Sequence, residues 1–274
     1  MRIALFPNLR KAGAPETAAQ VVAFLQERGC QLCAPALIAD QLGIDHYEKG
    51  PRPDCAIALG GDGTILRVTH EYPELTEPLL GINLGHLGFM AEVPLSQIEP
   101  ALTQLAAGQY AVDRRMVLDV DRGRTFAIND VVIHRSPNPA LLELSVWVDG
   151  AWVNSFLADG LILSTPGGST AYSLAAGGPI VVPGVDAVVL TPICPHTISN
   201  RPLLLSARSS IEVQIARARA PVEVTVDGVP DRPLDQDQRI AVTLSARTFN
   251  LVQLPGRNYF EILRSKLQWS GKLV

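Results

Sequence analysis

The 274-residue chain lacks several features that would place a protein quickly. No apolar run reaches the roughly 18 residues that a membrane-spanning helix needs, so no membrane partner is expected. Neither sign of charge is in strong excess: 23 Lys and Arg against 27 Asp and Glu leave a net charge of −4. A nucleic-acid binder would show a basic patch, and nothing here suggests one. Cysteine is scarce, with four residues, at 30, 33, 55 and 194. Cys30-Gln31-Leu32-Cys33 has the spacing of half a zinc or redox site, but positions 55 and 194 do not supply a second pair. Buried or half-buried thiols in a reducing compartment are expected instead. Two common phosphate signatures are missing. There is no G-x-x-x-x-G-K-S/T loop, and no G-x-G-x-x-G follows the first strand-like run. This excludes a Walker-type binder and disfavours a standard dinucleotide-binding dehydrogenase. Met1-Arg2-Ile3-Ala4-Leu5-Phe6 runs straight into strand-like sequence without the h-region or cleavage site of a signal peptide, so a cytoplasmic chain is expected. No internal repeat, linker or low-complexity segment occurs.

Hydrophobic residues make up 47% and charged residues 18%, enough for sizeable cores and against disorder. The length suits two modest domains or one large one. Residues 2–6 read as a strand. Pro15 to Arg28 reads as an amphipathic helix with Ala18, Val21, Val22 and Leu25 on one face and Gly29 as its stop. Residues 31–38 read as a second strand and 43–54 as loop. Short buried runs follow at 55–59 and 79–83, and helical periodicity returns at 95–107. Strands alternating with helices predict a parallel sheet covered by helices. Beyond that point the texture changes to short alternating or β-branched runs at 115–121, 125–134, 141–149, 152–157, 161–164, 186–190, 210–216, 221–227 and 239–244. Asp149-Gly150 is a hairpin signal. An antiparallel sandwich or layered sheet is expected there. The domain expectation is therefore an α/β unit over 1–94, rejoined by the tail from about 250 to 274, and a β-rich unit over 95–249.

The most informative stretch is Gly60-Gly61-Asp62-Gly63-Thr64, directly after the buried run 55–59. Three glycines in four positions let a backbone approach a ligand and reach φ above zero cheaply. At the carboxyl end of a strand in an α/β sheet they stand where ligands bind. Phosphate would be cradled by backbone N–H groups while Asp62 handles a hydroxyl or a metal. The alternative is an ordinary strand-to-helix turn with Asp62 as its N-cap.

Asn129-Asp130 interrupts a β run with two poor strand formers. Together they can accept from sugar hydroxyls and donate to a base edge; the alternative is a bulge or exposed edge. In the segment 159–179, Asp159 precedes a strand at 161–164 and a loop of small, hydroxyl-bearing residues. Ser169 or Thr170 is expected to cap a short helix through Tyr172 to Ala176, which Gly177-Gly178 ends. Hydroxyls, free N–H groups and little bulk suit a flat polar ligand, although a plain strand-loop-helix corner has the same outline. Thr191-Pro192-Ile193-Cys194-Pro195-His196 reads as a rigid supporting loop, and His86, His134 and His196 read as structural.

Taken together, these stretches resemble the NAD kinase family over nearly the whole chain. The markers are Gly60 to Thr64, Gly81-Ile82-Asn83-Leu84-Gly85-His86-Leu87-Gly88-Phe89, Asn129-Asp130, the 159–179 segment and Thr191 to His196. Diacylglycerol and sphingosine kinases and phosphofructokinases carry loops similar to the first marker; the long 159–179 segment makes the resemblance specific. It implies an α/β N-terminal domain with a β-rich C-terminal domain, assembled as a homodimer or homotetramer. It implies phosphorylation of the 2′-hydroxyl of the adenosine ribose of NAD, giving NADP, with ATP (or inorganic polyphosphate in some members) and a divalent metal, Mg²⁺ being expected. By resemblance Asp62 accepts the 2′-hydroxyl proton, Gly63 and Arg67 contact NAD, and Gly60, Gly61, Gly63 and Thr64 form the phosphate-donor loop. Asn129 and Asp130 match the pair on the ribose next to the nicotinamide, and Asp159 an NAD-binding carboxylate. Gly167 falls at an NAD-binding position, and Thr170, Ala171, Tyr172, Ser173, Leu174 and Ala175 match the run around the adenine.

Two departures stand out. Gly167 replaces the second Thr of the family's Thr-Pro-Thr-Gly, and Leu157 stands where many members carry Arg, removing a cationic partner for Asp159. No protein metal cage is evident, which fits a metal held by substrate phosphates. The rivals are a lipid or sphingoid kinase, which needs an apolar cleft, and a non-catalytic NAD-binding sensor, which has no need of the Asp62 carboxylate.

Overall fold

Short runs buried on both faces build a parallel sheet in the first part of the chain. The computed structural model describes residues 1–85, 87–135, 141–197, 199–219 and 221–269. Two units emerge: Met1–Arg114 together with the chain from Asn250, and Arg115–Phe249. In the first unit the elements are β1 (Arg2–Pro7), α1 (Ala14–Gln26), β2 (Gln31–Ala34), α2 (Ala36–Leu42), β3 (Asp45–His46), β4 (Cys55–Gly60), α3 (Asp62–Glu71), β5 (Leu79–Asn83), β6 (Val93–Pro94) and α4 (Ile98–Ala106). The strand order is β3-β2-β1-β4-β5, all parallel, with β6 and the returning Leu251 both pairing with β5. The chain winds outward from β1 to β3 and then restarts at β4 on the other side of β1. The carboxyl ends of β1 and β4 thus flank a topological switch point.

Ile3, Leu5, Ile57 and Leu59 join Val21 and Leu25 of α1 and Leu102 and Leu105 of α4 in one core. Each such fully buried side chain contributes about 1.5–3 kcal/mol. Alternate residues Ala4, Phe6, Ala56 and Ala58 are buried too. On their face Phe6 meets the rings of Tyr47 and Tyr72.

The structure corrects several sequence expectations here. The run 31–38 is not one strand: β2 ends at Ala34, and Pro35 precedes α2 as its N-cap residue. Residues 43–54 hold β3 and a 3₁₀ turn over Tyr47–Lys49 rather than loop alone. The first unit extends past residue 94 to Arg114, because Ala101, Leu102 and Leu105 of α4 are part of its core.

The second unit is antiparallel. Its strands are β7 (Ala111–Val120), β8 (Thr125–Ala127), β9 (Asp130–Arg135), β10 (Leu142–Val148), β11 (Ala151–Ala158), β12 (Gly160–Ser164), β13 (Ala187–Ile193), β14 (Leu203–Ser206), β15 (Ile211–Arg217), β16 (Val222–Val226), β17 (Val229–Leu234) and β18 (Arg239–Gln253), with one short helix, α5 (Tyr172–Ala175). Six strands form a sheet in the order β14-β13-β12-β9-β16-β17, and β11-β10-β15-β18 form a second layer. Val131, Ile133, Leu161, Leu163, Val188 and Leu190 of the first layer share a core with Leu144, Val146, Val213, Ile215 and Val242 of the second. Val132, Ile162 and Ile193 face the other way and are covered in part by Ala176. Two Asp-Gly hairpin turns, Asp149-Gly150 and Asp227-Gly228, have positive φ at both residues, the backbone of a type I′ turn.

Candidate active site

Gly60 closes β4 and Gly61 turns the chain into α3 at φ 157° and ψ −177°, a backbone that side chains resist. Asp62 is therefore the first helical residue, not the N-cap, and no side chain caps this helix. Its carboxylate reaches back to the loop after β5. Oδ2 accepts from the Phe89 N–H at 2.8 Å; Oδ1 accepts from Met90 at 3.0 Å and Ala91 at 2.8 Å. A Cβ on Gly88 would lie 2.0 Å from Asp62 Oδ1, so only glycine lets the loop close this tightly. A carboxylate has about four lone-pair sites. With three taken, one on Oδ2 is left to accept a proton from a ligand.

Around this loop, Asn8 donates from its backbone to the Leu59 carbonyl at 2.8 Å and from Nδ2 to Thr64 Oγ1 at 3.4 Å. The Lys11 ammonium donates to the Gly60 carbonyl. Gly63 is exposed in the first turn, and a Cβ there would meet nothing within 4 Å. Packing therefore does not require glycine at 63. Thr64 is buried. Arg67 is exposed on α3 and pairs with Glu71 at 2.9 Å. It borders a cavity of about 770 Å³ that Asn8, Arg10, Leu37 and Tyr72 also line. His86 lies outside the described residues.

In the second unit the run 125–134 is broken at Ile128-Asn129, and Asp130 begins β9, an inner strand of the six-stranded sheet. The bulge-or-edge alternative for Asp130 thus fails: it is 5% exposed and sits opposite Ser164 of β12. Asn129 is half-buried. Its carbonyl accepts from the Thr165 N–H at 2.8 Å, while Thr165 Oγ1 donates to the Ile128 carbonyl at 2.6 Å. A Cβ on Gly168 would lie 2.1 Å from the Asn129 carbonyl oxygen. The 165–168 corner is thereby pressed onto the Asn129-Asp130 backbone. The Tyr172 N–H, at the start of α5, donates to the Asp130 carboxyl group. Burial, and next the charge of Asp227, push the Asp130 pKa up from 3.8 to about 7 despite that hydrogen bond.

Residues 167–170 form a 3₁₀ turn before α5, and neither Ser169 nor Thr170 caps the helix. Ser169 Oγ instead ties Pro166 and Val181 together, and Thr170 Oγ1 donates to Gly167 at 3.1 Å. Ser173 is fully buried, its hydroxyl 2.9 Å from that of Thr191; the Thr191 to His196 stretch supports the corner through this bond. Ala171, Tyr172 and Ala175 are exposed and Leu174 is half-buried. Unlike Gly168, Gly167 is not required sterically, since a Cβ there would stand 3.5 Å from its nearest neighbour, Thr165 Oγ1.

Three side chains were not anticipated from sequence. Asp227, in the turn between β16 and β17, accepts from the backbone N–H groups of Ile128, Asn129 and Asp130 at 2.9, 2.7 and 3.1 Å. Its only advance signal was the hairpin pattern Val226-Asp227-Gly228-Val229. Arg135 donates from Nε to Asp159 Oδ1 at 2.7 Å and from Nη2 to Oδ2 at 3.3 Å; its own pKa is raised by that carboxylate. Asp159 thus has a cation although Leu157 replaces the family's Arg. Lys11 is the third. Among the described residues no three His, Cys, Asp or Glu side chains gather in a group that could hold a metal. Cys30, Cys33 and Cys55 are buried and free, while Cys194 is exposed, contrary to the expectation of four buried or half-buried thiols. Burial raises the thiol pKa values of Cys33 and Cys55, the latter to about 12.

Residues 3–110 match the model of the ATP-NAD kinase N-terminal domain, and residues 128–254 that of the ATP-NAD kinase C-terminal domain. The NAD kinase of Protochlamydia amoebophila is 48% identical over 99% of both chains. That of Caldanaerobacter subterraneus is 36% identical over 97% of this chain and 98% of its own. Among solved structures, yeast NADH kinase complexed with NADH superposes with a TM-score of 0.88 at 26% identity, covering all of this chain and 89% of the other. The NAD kinase of Archaeoglobus fulgidus in complex with ATP shares the fold, with a TM-score of 0.78 at 24% identity over 98% of this chain and 99% of the other. By sequence over its full length and by fold, this chain belongs to the NAD kinase family.

Proposed function

We propose that the chain phosphorylates the 2′-hydroxyl of the adenosine ribose of NAD to give NADP, with ATP as donor. Full-length relatives named NAD kinase support the activity. The observation that carries the mechanism is the Asp62 carboxylate, fixed by three N–H groups with one lone pair to spare. A ribose hydroxyl is a weak nucleophile and must lose its proton as the new bond forms. Asp62 takes that proton. Phosphoryl transfer asks the protein chiefly for positioning and charge neutralisation. Gly60, Gly61, Gly63 and Thr64 form the donor loop; the Thr64 N–H is taken by the Gly61 carbonyl at 2.9 Å, and the N–H groups of Asp62 and Gly63, which precede the first intrahelical bond, suit phosphate oxygens.

Asn129 and Asp130 hold the ribose next to the nicotinamide. Asp159, steadied by Arg135, and the run Gly167 and Thr170 to Ala175 bind the rest of NAD, with the exposed Tyr172 ring as a stacking surface. Arg67 supplies a further cationic contact, released from Glu71. A divalent metal, Mg²⁺, would be held chiefly by the donor's phosphates, where it would supply charge neutralisation. The chain assembles as a homodimer or homotetramer, which light scattering would test. Free thiols agree with a reducing compartment, and the cytoplasm is the proposed location.

The test is a coupled assay of NADP formation from NAD, ATP and Mg²⁺, with Asp62→Asn beside the wild type. The variant should lose about 10²–10⁴-fold in turnover with NAD binding largely kept. An unchanged rate would reject Asp62 as the base. No NADP from folded wild type, with either ATP or polyphosphate as donor, would overturn the reading; lipid phosphorylation and calorimetric NAD binding would then separate the two rivals.

A further inference from the structure

The Lys11 ammonium stands against the glycine loop. The residue follows β1 at the switch point and donates to the Gly60 carbonyl. A Cβ on the neighbouring Gly61 would lie 3.2 Å from Lys11 Nζ, with Asn83 Nδ2 and Oδ1 at 3.9 and 4.0 Å. Asn8, three residues earlier, reaches the same loop through Thr64. Among the described residues Lys11 makes no ion pair, and its side chain is exposed. An ammonium has three donors, and the Gly60 carbonyl takes one. Structural anchoring of a single carbonyl does not call for a full charge, whereas a transferring phosphoryl group does.

We infer that Lys11 is a catalytic residue that contacts the terminal phosphate of the donor over the Gly60-Gly61 backbone. The inference rests on the NAD kinase reading above. In the step it serves, the bond from the γ-phosphorus to the bridging oxygen breaks and ADP leaves. A bond from the ribose 2′-oxygen to that phosphorus forms, and the hydroxyl proton passes to Asp62. Lys11 is neither acid nor base here; it offsets the negative charge on the phosphate oxygens.

Lys11→Ala, Lys11→Gln and Lys11→Arg should be compared with wild type in two measurements. The first is steady-state NADP formation with ATP and NAD varied separately. The second is calorimetric binding of ATP and of NAD, each alone. Lys11→Ala and Lys11→Gln should lose about 10–100-fold in kcat/KM for ATP, the effect of removing one charged hydrogen-bond partner, and should bind ATP more weakly while the NAD Kd stays within about twofold. Lys11→Arg, which keeps the charge, should recover part of the loss, and Lys11→Gln, which keeps only a donor able to anchor the Gly60 carbonyl, should not. If Lys11→Ala failed to fold, Lys11→Gln and Lys11→Arg would carry the comparison. Unchanged ATP affinity and kcat/KM in these variants would overturn the inference, as would a loss that tracks only the thermal midpoint. A wild type that binds ATP but makes no NADP would overturn the parent reading, and the ATP affinities of the variants would still decide the role of Lys11.

Discussion

Asp130 is a carboxyl group whose ionisation the fold opposes. Burial in an inner strand and the nearby charge of Asp227 lift its pKa from 3.8 to about 7. Between those values the native state binds a proton that the unfolded chain has released, so stability falls as pH rises. The contribution is fully present below about pH 4 and lost once pH passes through about 7. Asp130→Asn keeps a neutral side chain at every pH. It should flatten the fall in stability between pH 4.5 and 8, read as urea midpoints at several pH values; a variant with the wild-type slope would show that Asp130 does not carry it. Near neutrality the group is both donor and acceptor across the population, which suits a residue proposed to meet a ribose hydroxyl. Asp227 acts on the same spot through the backbone, three of whose N–H groups it satisfies. Asp227→Ala leaves those donors buried without a partner. It should cost about 3 kcal/mol or more and raise the KM for NAD beyond any change in kcat, measured by denaturation and by the NADP assay.

At the scale of elements, the second candidate patch is a corner between β12 and α5 pressed against the break before β9. Gly168→Ala would bring a Cβ within 2.1 Å of the Asn129 carbonyl oxygen, forcing the corner or the break to move. We expect a lower melting temperature and weaker NAD binding; Gly167→Ala, where the nearest atom would be 3.5 Å away, should be mild by comparison. Differential scanning fluorimetry with and without NAD checks both. The sequence pattern made most of these elements legible, because burial on both faces of β1, β4 and β5 leaves unbroken apolar runs, and alternation marks β15 and β16. It failed where local and tertiary signals compete. After Gln31 the run to residue 38 is apolar, so periodicity could not show that Pro35 separates a strand from a helix. Ser169 looked like a cap, yet its hydroxyl satisfies Pro166 and Val181 instead. Asp227 and Arg135 were invisible as site residues because what they touch lies 98 and 24 residues away in the chain, and only strand pairing brings them there.

For the molecule as a whole, two separate cores carry the two units, and the proposed roles are divided between them: the proposed proton acceptor and donor loop in one, the proposed NAD-holding residues in the other. The thiols report on both. Cys30, Cys33 and Cys55 are sealed in the first unit and Cys194 is exposed in the second. A chromogenic disulfide reagent should therefore titrate one thiol rapidly in the native protein and all four in denaturant; rapid reaction of more than one would show that the first unit opens. The three N–H groups that close on Asp62 give this side chain a second duty. The side chain proposed to accept the proton is also the clasp of the 88–91 loop, so two selective pressures converge on a single position. A lineage that lost catalysis but kept this fold would still be held to aspartate there by its architecture. Drift toward a silent binder would therefore first show in the more replaceable surroundings, such as Lys11 and Arg67, and last in the residue most suggestive of an enzyme.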